Sequence, residues 1–255
     1  ETESTISNIK HIIAIASGKG GVGKSTVAAN IAVAFSNMGK NVGLLDLDIY
    51  GPSLPITFGV NEQPLMTQSK KLIQIEQDGI KLMSFGFISG NETPVIWRGP
   101  LVSRMTEQFF RDVEWGDLDF LILDLPPGTG DIQLTLTQKL RLSGAIIITT
   151  PQDIALADVR KGADMFKKVN TPVLGVVENM SGLIINGEVK TTASSIIIND
   201  QVVELKENKF SHKIDLFKSG GGKKESERLG VPLLGKIPIS EEITTSTDKG
   251  LPISK

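Results

Sequence analysis

Gly18-Lys19-Gly20-Gly21-Val22-Gly23-Lys24-Ser25 follows the β-branched run His11 to Ser17 and precedes a stretch in which Val27, Ile31, Ala34 and Phe35 recur at helical spacing. The segment satisfies G-x-x-x-x-G-K-[ST], and it lies between an expected strand and an expected helix, the context that gives the pattern its meaning. Glycines let the backbone curl so that successive N–H groups point at phosphate oxygens, and the helix N-terminus adds its partial positive charge. Gly20, Gly21, Val22 and Gly23 are therefore expected to form the cradle. Lys24 is placed for the β- and γ-phosphates, the Ser25 hydroxyl for magnesium, and Thr26 for a further phosphate contact.

Outward from this loop the chain alternates β-branched runs with helical patterns, the mark of crossover units and a mostly parallel sheet. The runs are His11 to Ser17, Asn41 to Asp48, Phe120 to Leu125, Ala145 to Thr150 and Pro172 to Asn179, and Gly39 supplies a stop after the first helix. The expected fold class is α/β: three layers, a mostly parallel sheet with helices on both faces. Residues 68 to 87, with Asp78-Gly79 between apolar runs, read as a hairpin inserted into this pattern. Residues 183 to 218 read as a β-rich insertion, with Asn186-Gly187 and Asn199-Asp200 as hairpin turns. With 255 residues and no repeat or linker, residues 1 to 255 are expected to form one domain.

Two acidic clusters fall at C-terminal strand ends, where open α/β sheets place their ligands. In Asp46-Leu47-Asp48, alternation puts both aspartates on one face, so both are expected to approach phosphate or metal together. In Phe120 to Asp124, four apolar residues run into a carboxylate, the form of a buried strand that delivers Asp124 to hydrated magnesium. Pro126-Pro127-Gly128 is stiff and then hinge-like, suited to a segment that senses the γ-phosphate. Asp131 serves there or as the N-cap of a following helix. The only Asn-Lys, Asn208-Lys209, is followed by Phe210-Ser211 rather than x-Asp, which disfavours guanine.

Composition removes several classes. Lysine plus arginine number 27 and aspartate plus glutamate 29, a net charge of −2 that gives no global basic footprint for nucleic acid or anionic lipid. No apolar run approaches the roughly 18 residues of a membrane span, and Glu1 to Lys10 lacks a signal-peptide layout, so the expectation is a cytoplasmic protein without nucleic acid or membrane partners. Cysteine is absent, which excludes disulfides, a thiol nucleophile and thiolate metal ligands from this chain.

Beyond the loop itself, Asp48-Ile49-Tyr50-Gly51-Pro52-Ser53, Trp97-Arg98-Gly99-Pro100, Trp115-Gly116-Asp117-Leu118-Asp119, Asp124 to Asp131, Thr149-Thr150-Pro151-Gln152 and Glu178-Asn179-Met180-Ser181 occur in order. Together they resemble the Mrp (ApbC-type) iron–sulfur cluster carrier ATPases, within the MinD, ParA and nitrogenase iron-protein superfamily of P-loop NTPases. The likeness covers about residues 10 to 181 and resumes from Ser219-Gly220-Gly221-Gly222 through Pro238. It implies ATP and Mg2+ as ligands, a homodimer in which Lys19 reaches the partner's nucleotide, and Asp48 as the residue that orients the attacking water and also serves the metal. It further implies an adenine contact by Asn179, with Pro238 at the same site, and slow ATP hydrolysis by Lys19, Lys24 and Asp48.

The same family usually carries Cys-x-x-Cys just after Asn-Met-Ser, two subunits sharing a [4Fe–4S] cluster. Here that place is Gly182-Leu183-Ile184-Ile185-Asn186-Gly187, without a thiolate. His212 reads as a surface histidine and His11 as structural. The expected function is an Mrp-type ATP switch in iron–sulfur cluster assembly or transfer, working with assembly proteins or apo-protein clients. A MinD/ParA-like organising ATPase and a nucleotide-binding adaptor without its own cluster stand as alternatives.

Overall fold

The computed structural model describes residues 6–49, 51–89, 99–217, 219–250 and 252. The elements run β1 (Ile9–Ala16), α1 (Lys24–Asn37), β2 (Val42–Asp46), α2 (Leu54–Phe58), β3 (Ile75–Gln77), β4 (Ile80–Ser84), α3 (Phe85–Ser89), α4 (Gly99–Asp112), β5 (Leu118–Asp124) and α5 (Asp131–Lys139). They continue with β6 (Gly144–Thr149), α6 (Asp153–Lys168), β7 (Val173–Glu178), β8 (Leu183–Glu188), β9 (Ser195–Ile198), β10 (Gln201–Glu204), β11 (Lys209–Ile214), α7 (Gly221–Leu229), β12 (Leu233–Lys236) and α8 (Glu241–Asp248).

The main sheet has eight strands in the order β12-β7-β6-β1-β5-β2-β4-β3, parallel throughout except for the β3–β4 pair at one edge. Its strands are apolar on both faces because both faces are covered. Alternate residues separate into two cores: Ile12, Ala14, Leu45, Leu121, Leu123 and Ile147 pack with Phe109, Leu136 and Phe166 of α4, α5 and α6. Ile13, Ile15, Leu44, Ile122 and Ile146 pack with Val27, Ala28, Ala29 and Ala32 of α1. Each of the fully buried leucines and isoleucines contributes about 1.5–3 kcal/mol, and the alanines let α1 lie close to the sheet. The expected three-layer α/β architecture is what the chain adopts.

The chain leaves β1 for β2 in one direction, while β6 and β7 extend the sheet in the other, so the order reverses around β1. Ligand sites of open α/β sheets form at such a switch point, and the glycine loop occupies it.

Two expectations need correction, and two turn assignments hold. The 68 to 87 hairpin turns at Asp78-Gly79, both with positive φ, and β4 also pairs in parallel with β2, so the hairpin forms the edge of the main sheet. Asn199-Asp200 is the β9–β10 turn, with φ of 48° and 61°. Asn186-Gly187, in contrast, lies inside β8, opposite Ser211 and Phe210 of β11, and a Cβ on Gly187 would meet the Phe210 ring at 2.6 Å. The ring covers the glycine, which makes a strand position of a residue that usually signals a turn. Finally, α5 is N-capped by Gly130, so Asp131 is its first residue, not its cap. Strands β8 to β11 form two separate two-stranded ladders. The Trp97-Arg98 pair and Tyr50 lie outside the described residues.

Candidate functional site

Between the end of β1 and the start of α1 the backbone turns twice through left-handed conformations, at Gly21 (φ 77°) and Gly23 (φ 79°). Side chains with a Cβ are strained there, which explains glycine at both positions. The loop and its surroundings enclose a cavity lined by Ser17, Lys19, Gly20, Gly21, Val22, Gly23, Lys24, Ser25, Thr26, Asp48 and Pro127. Helix α1 opens directly on it. No side chain caps that helix and its first turn holds no acid, so its terminal N–H groups and partial positive charge remain for a ligand.

Lys24 is 5% exposed, and its ammonium is ion-paired with the fully buried carboxylate of Asp124 through Oδ1. It also reaches the Ser25 hydroxyl at 3.3 Å. The second carboxylate oxygen, Asp124 Oδ2, is buried without a hydrogen-bond partner. A buried acceptor left alone costs about 1–3 kcal/mol, and a water on a bound magnesium would supply the missing donor. Among the described residues no three His, Cys, Asp or Glu side chains cluster as a metal site. Magnesium here would therefore take most of its ligands from phosphate and water, with Ser25 beside it, the ordinary habit of this ion.

Asp46, the last residue of β2, and Asp48 just beyond it are not brought to the cavity together as expected. Asp48 lines the cavity. Asp46 is turned away from it and fully buried, accepting from the backbone N–H of Asp48 (2.9 Å), Ser53 (3.0 Å) and Leu54 (3.3 Å) and from the Ser84 hydroxyl (3.1 Å). β2 ends at Asp46, so the strict alternation that would keep the pair on one face stops between them. Asp46 instead gathers the loop that carries Asp48. Burial, and after it the charge of Asp124 on the adjacent strand, pushes the Asp46 carboxyl up to about 7 against the pull of the Asp48 and Leu54 N–H groups and the Lys24 charge.

On the other side of the loop, Gly128 (φ 97°) donates its N–H to the Ser17 carbonyl at 2.9 Å. The buried Gln133 amide bridges the carbonyls of Pro126 and Pro127 at 3.2 and 2.5 Å. Lys19 is half-buried and its ammonium donates to Gln152 Oε1 of the same chain at 3.1 Å. Asn179, at the end of β7, donates its side-chain amide to the Val22 carbonyl at 2.8 Å. Pro238 follows β12, whose neighbour Ile237 donates to the Glu178 carbonyl at 2.9 Å, so Asn179 and Pro238 share the ends of adjacent strands. Neither lines the cavity. Gln133, the pairing of Gln152 with Lys19 and the clamping role of Asp46 were not legible in sequence. Gln133 belongs to no recognised pattern, Gln152 stood in the Thr149 to Gln152 block without a partner, and the Asp46 role depends on where its strand ends.

His11 is exposed and stacks on Phe120 at a centroid distance of 5.3 Å, as a structural residue would. His212 is half-buried in β11 opposite Ile185.

A glycine loop at the switch point of a mostly parallel sheet, with a paired lysine and strand-borne aspartate behind it, defines a P-loop nucleotide-binding protein. Solved structures agree. The nucleotide-binding protein of Archaeoglobus fulgidus in complex with ADP superposes with a TM-score of 0.77 at 33% identity, over 98% of this chain and 90% of its own. The Pyrococcus furiosus cell division ATPase MinD shares the fold, with a TM-score of 0.62 at 21% identity over 95% of this chain and 89% of its own. A ParA family profile described as NUBPL iron-transfer P-loop NTPase matches residues 8–209, and this chain belongs to that family. The iron-sulfur cluster carrier protein of Aquifex aeolicus is 46% identical over 254 residues, 99% of this chain. This chain spans 64% of that relative's length. The iron-sulfur protein required for NADH dehydrogenase, mitochondrial, of Arabidopsis thaliana is 42% identical over 253 residues, 99% of this chain and 74% of its own length.

Proposed function

We propose that this chain is an ATP-hydrolysing dimeric switch that serves iron–sulfur cluster assembly or transfer without holding a cluster on thiolates of its own. The observation that carries the nucleotide half is the gathering of Lys24, Ser25 and Asp48 around one glycine-lined cavity, with Asp124 paired to Lys24. The iron–sulfur half is supported by the family and by the names of its relatives.

Lys24 leaves Asp124 to meet the β- and γ-phosphates, and its charge offsets what builds up on the transferring phosphoryl oxygens. Asp124, so released, becomes available to water on magnesium, with Ser25 and Asp48 beside it. Magnesium, when bound, supplies charge neutralisation between the β- and γ-phosphates. Asp48 orients the attacking water, held in place by the backbone bonds that Asp46 accepts. Lys19 gives up Gln152 and reaches the nucleotide of a second copy, so closure of the dimer depends on ATP. The adenine end falls to the strand ends that carry Asn179 and Pro238. A chain with no cysteine takes part in cluster handover through a partner that supplies the thiolates. Among the described residues no helix is long and apolar enough to cross a membrane, and the reading keeps the cytoplasm as its compartment.

Equilibrium binding of Mg·ADP to the wild type and to Lys24→Ala tests the site. Saturable binding by the wild type, weakened at least about tenfold in the variant, is the expected result; a wild type that binds no nucleotide would end the proposal.

A further inference from the structure

The bond between the Asn179 side chain and the Val22 carbonyl joins positions 157 residues apart, from the end of β7 to the middle of the glycine loop. A carbonyl oxygen only accepts, so the amide nitrogen must be the atom that faces the loop. Both ends of this bond are held. The backbone N–H of Asn179 donates to the Thr149 carbonyl at 2.7 Å, and Ser181 donates to Ile237 at 2.9 Å. Next to them, the fully buried Glu178 carboxylate accepts from the Ser181 hydroxyl at 2.8 Å and the Gly222 N–H at 2.5 Å. On the loop side, the Val22 side chain is 2% exposed and packs into the core beside α1. At Gly23 a Cβ would lie 2.3 Å from Asn179 Nδ2, so glycine is required there for the close approach as well as for its φ.

We propose that Asn179 is a positioning residue for the phosphate end of the site: by holding the Val22 carbonyl, it sets the curvature of the loop that presents N–H groups to phosphate. The inference rests on the nucleotide-binding reading above and adds to it, since a residue that met only the adenine ring would leave the phosphates untouched. A residue that shapes the loop acts on any polyphosphate, with or without a base. The link also ties the end of β7 to the phosphate loop through a single side chain.

The test compares the wild type, Asn179→Asp and Asn179→Ala for affinity toward Mg·ATP and toward inorganic tripolyphosphate with magnesium, alongside thermal melting. Asp has the same shape but sets an acceptor against the Val22 carbonyl. The expected result is that tripolyphosphate weakens about three- to tenfold for Asn179→Ala and more for Asn179→Asp, with ATP weakened at least as much in each. Weaker ATP with unchanged tripolyphosphate would overturn the inference and leave Asn179 a base contact. Unchanged affinity for both with a lowered melting temperature would overturn it as a merely structural bond. If Asn179→Asp does not fold, Asn179→Ala decides by the same outcomes. A wild type that binds neither ligand would instead refute the nucleotide reading, and the inference with it.

Discussion

Lys24 and Asp124 form a buried ion pair, with side chains 5% and 0% exposed, at the back of the cavity that would hold phosphate. Removing one partner leaves the other charge buried and unpaired. Lys24→Met or Asp124→Leu alone should destabilise the nucleotide-free protein by about 3–5 kcal/mol. The double variant should recover most of that loss. Urea unfolding of the four proteins measures the coupling, and single variants within about 1 kcal/mol of the wild type would contradict the pair as described.

Lys19 is tethered to Gln152 within its own chain at 3.1 Å. If its work is to reach a second copy, Lys19→Ala should still bind Mg·ATP yet stay monomeric with it. In an Asp48→Ala background, chosen to slow the proposed hydrolysis, light scattering should show ATP-driven dimers that disappear when Lys19 is also replaced. Dimers that persist without Lys19 would sink this role.

Away from the site, Glu225 of α7 is buried and accepts a bidentate bond from Arg160 of α6, with Arg228 at 3.4 Å. The Arg160 hydrogen bond holds the carboxyl below its ordinary value. A depressed folded-state value contributes stability above the unfolded value and loses it as pH falls through the folded one. Acid should therefore loosen the α6–α7 contact, and Arg160→Leu should be less stable at neutral pH with a flatter decline below about pH 4.5. Melting temperatures from pH 7 to 3 read this directly. Parallel declines in the two proteins would show that the pair does not contribute.

The stretch Gly182 to Gly187, where the resembled family usually keeps its paired cysteines, is mostly strand β8, hydrogen-bonded to β11. With no thiolate in the chain, anaerobic reconstitution with iron and sulfide should leave no stable cluster on the purified protein. Visible absorption and iron analysis check this, and a stoichiometric [4Fe–4S] signal would contradict it.

The parallel strands were legible because covered sheets need uninterrupted apolar runs, and Phe120 to Asp124 could scarcely be anything else. The loop was legible because its glycines, lysine and serine have fixed jobs at fixed spacing. The Asp46–Asp48 pair was misjudged for a local reason: alternation holds only while a strand lasts, and β2 stops at Asp46. Asn186-Gly187 misled because a turn pair and a glycine beneath a cross-strand aromatic look alike until Phe210 is in place. The Gln133 bond to Pro126 has no motif to announce it, and although Asn179 stood out in sequence, its bond to Val22 joins positions 157 residues apart that only the fold brings together.

The central claim is that the cavity turns over ATP. The most direct measurement is phosphate release by the wild type beside Lys24→Ala and Asp48→Ala at saturating Mg·ATP. The account predicts slow, magnesium-dependent release by the wild type, lost in both variants, with ATP binding kept by Asp48→Ala. Nucleotide bound by the wild type without release above background would contradict it.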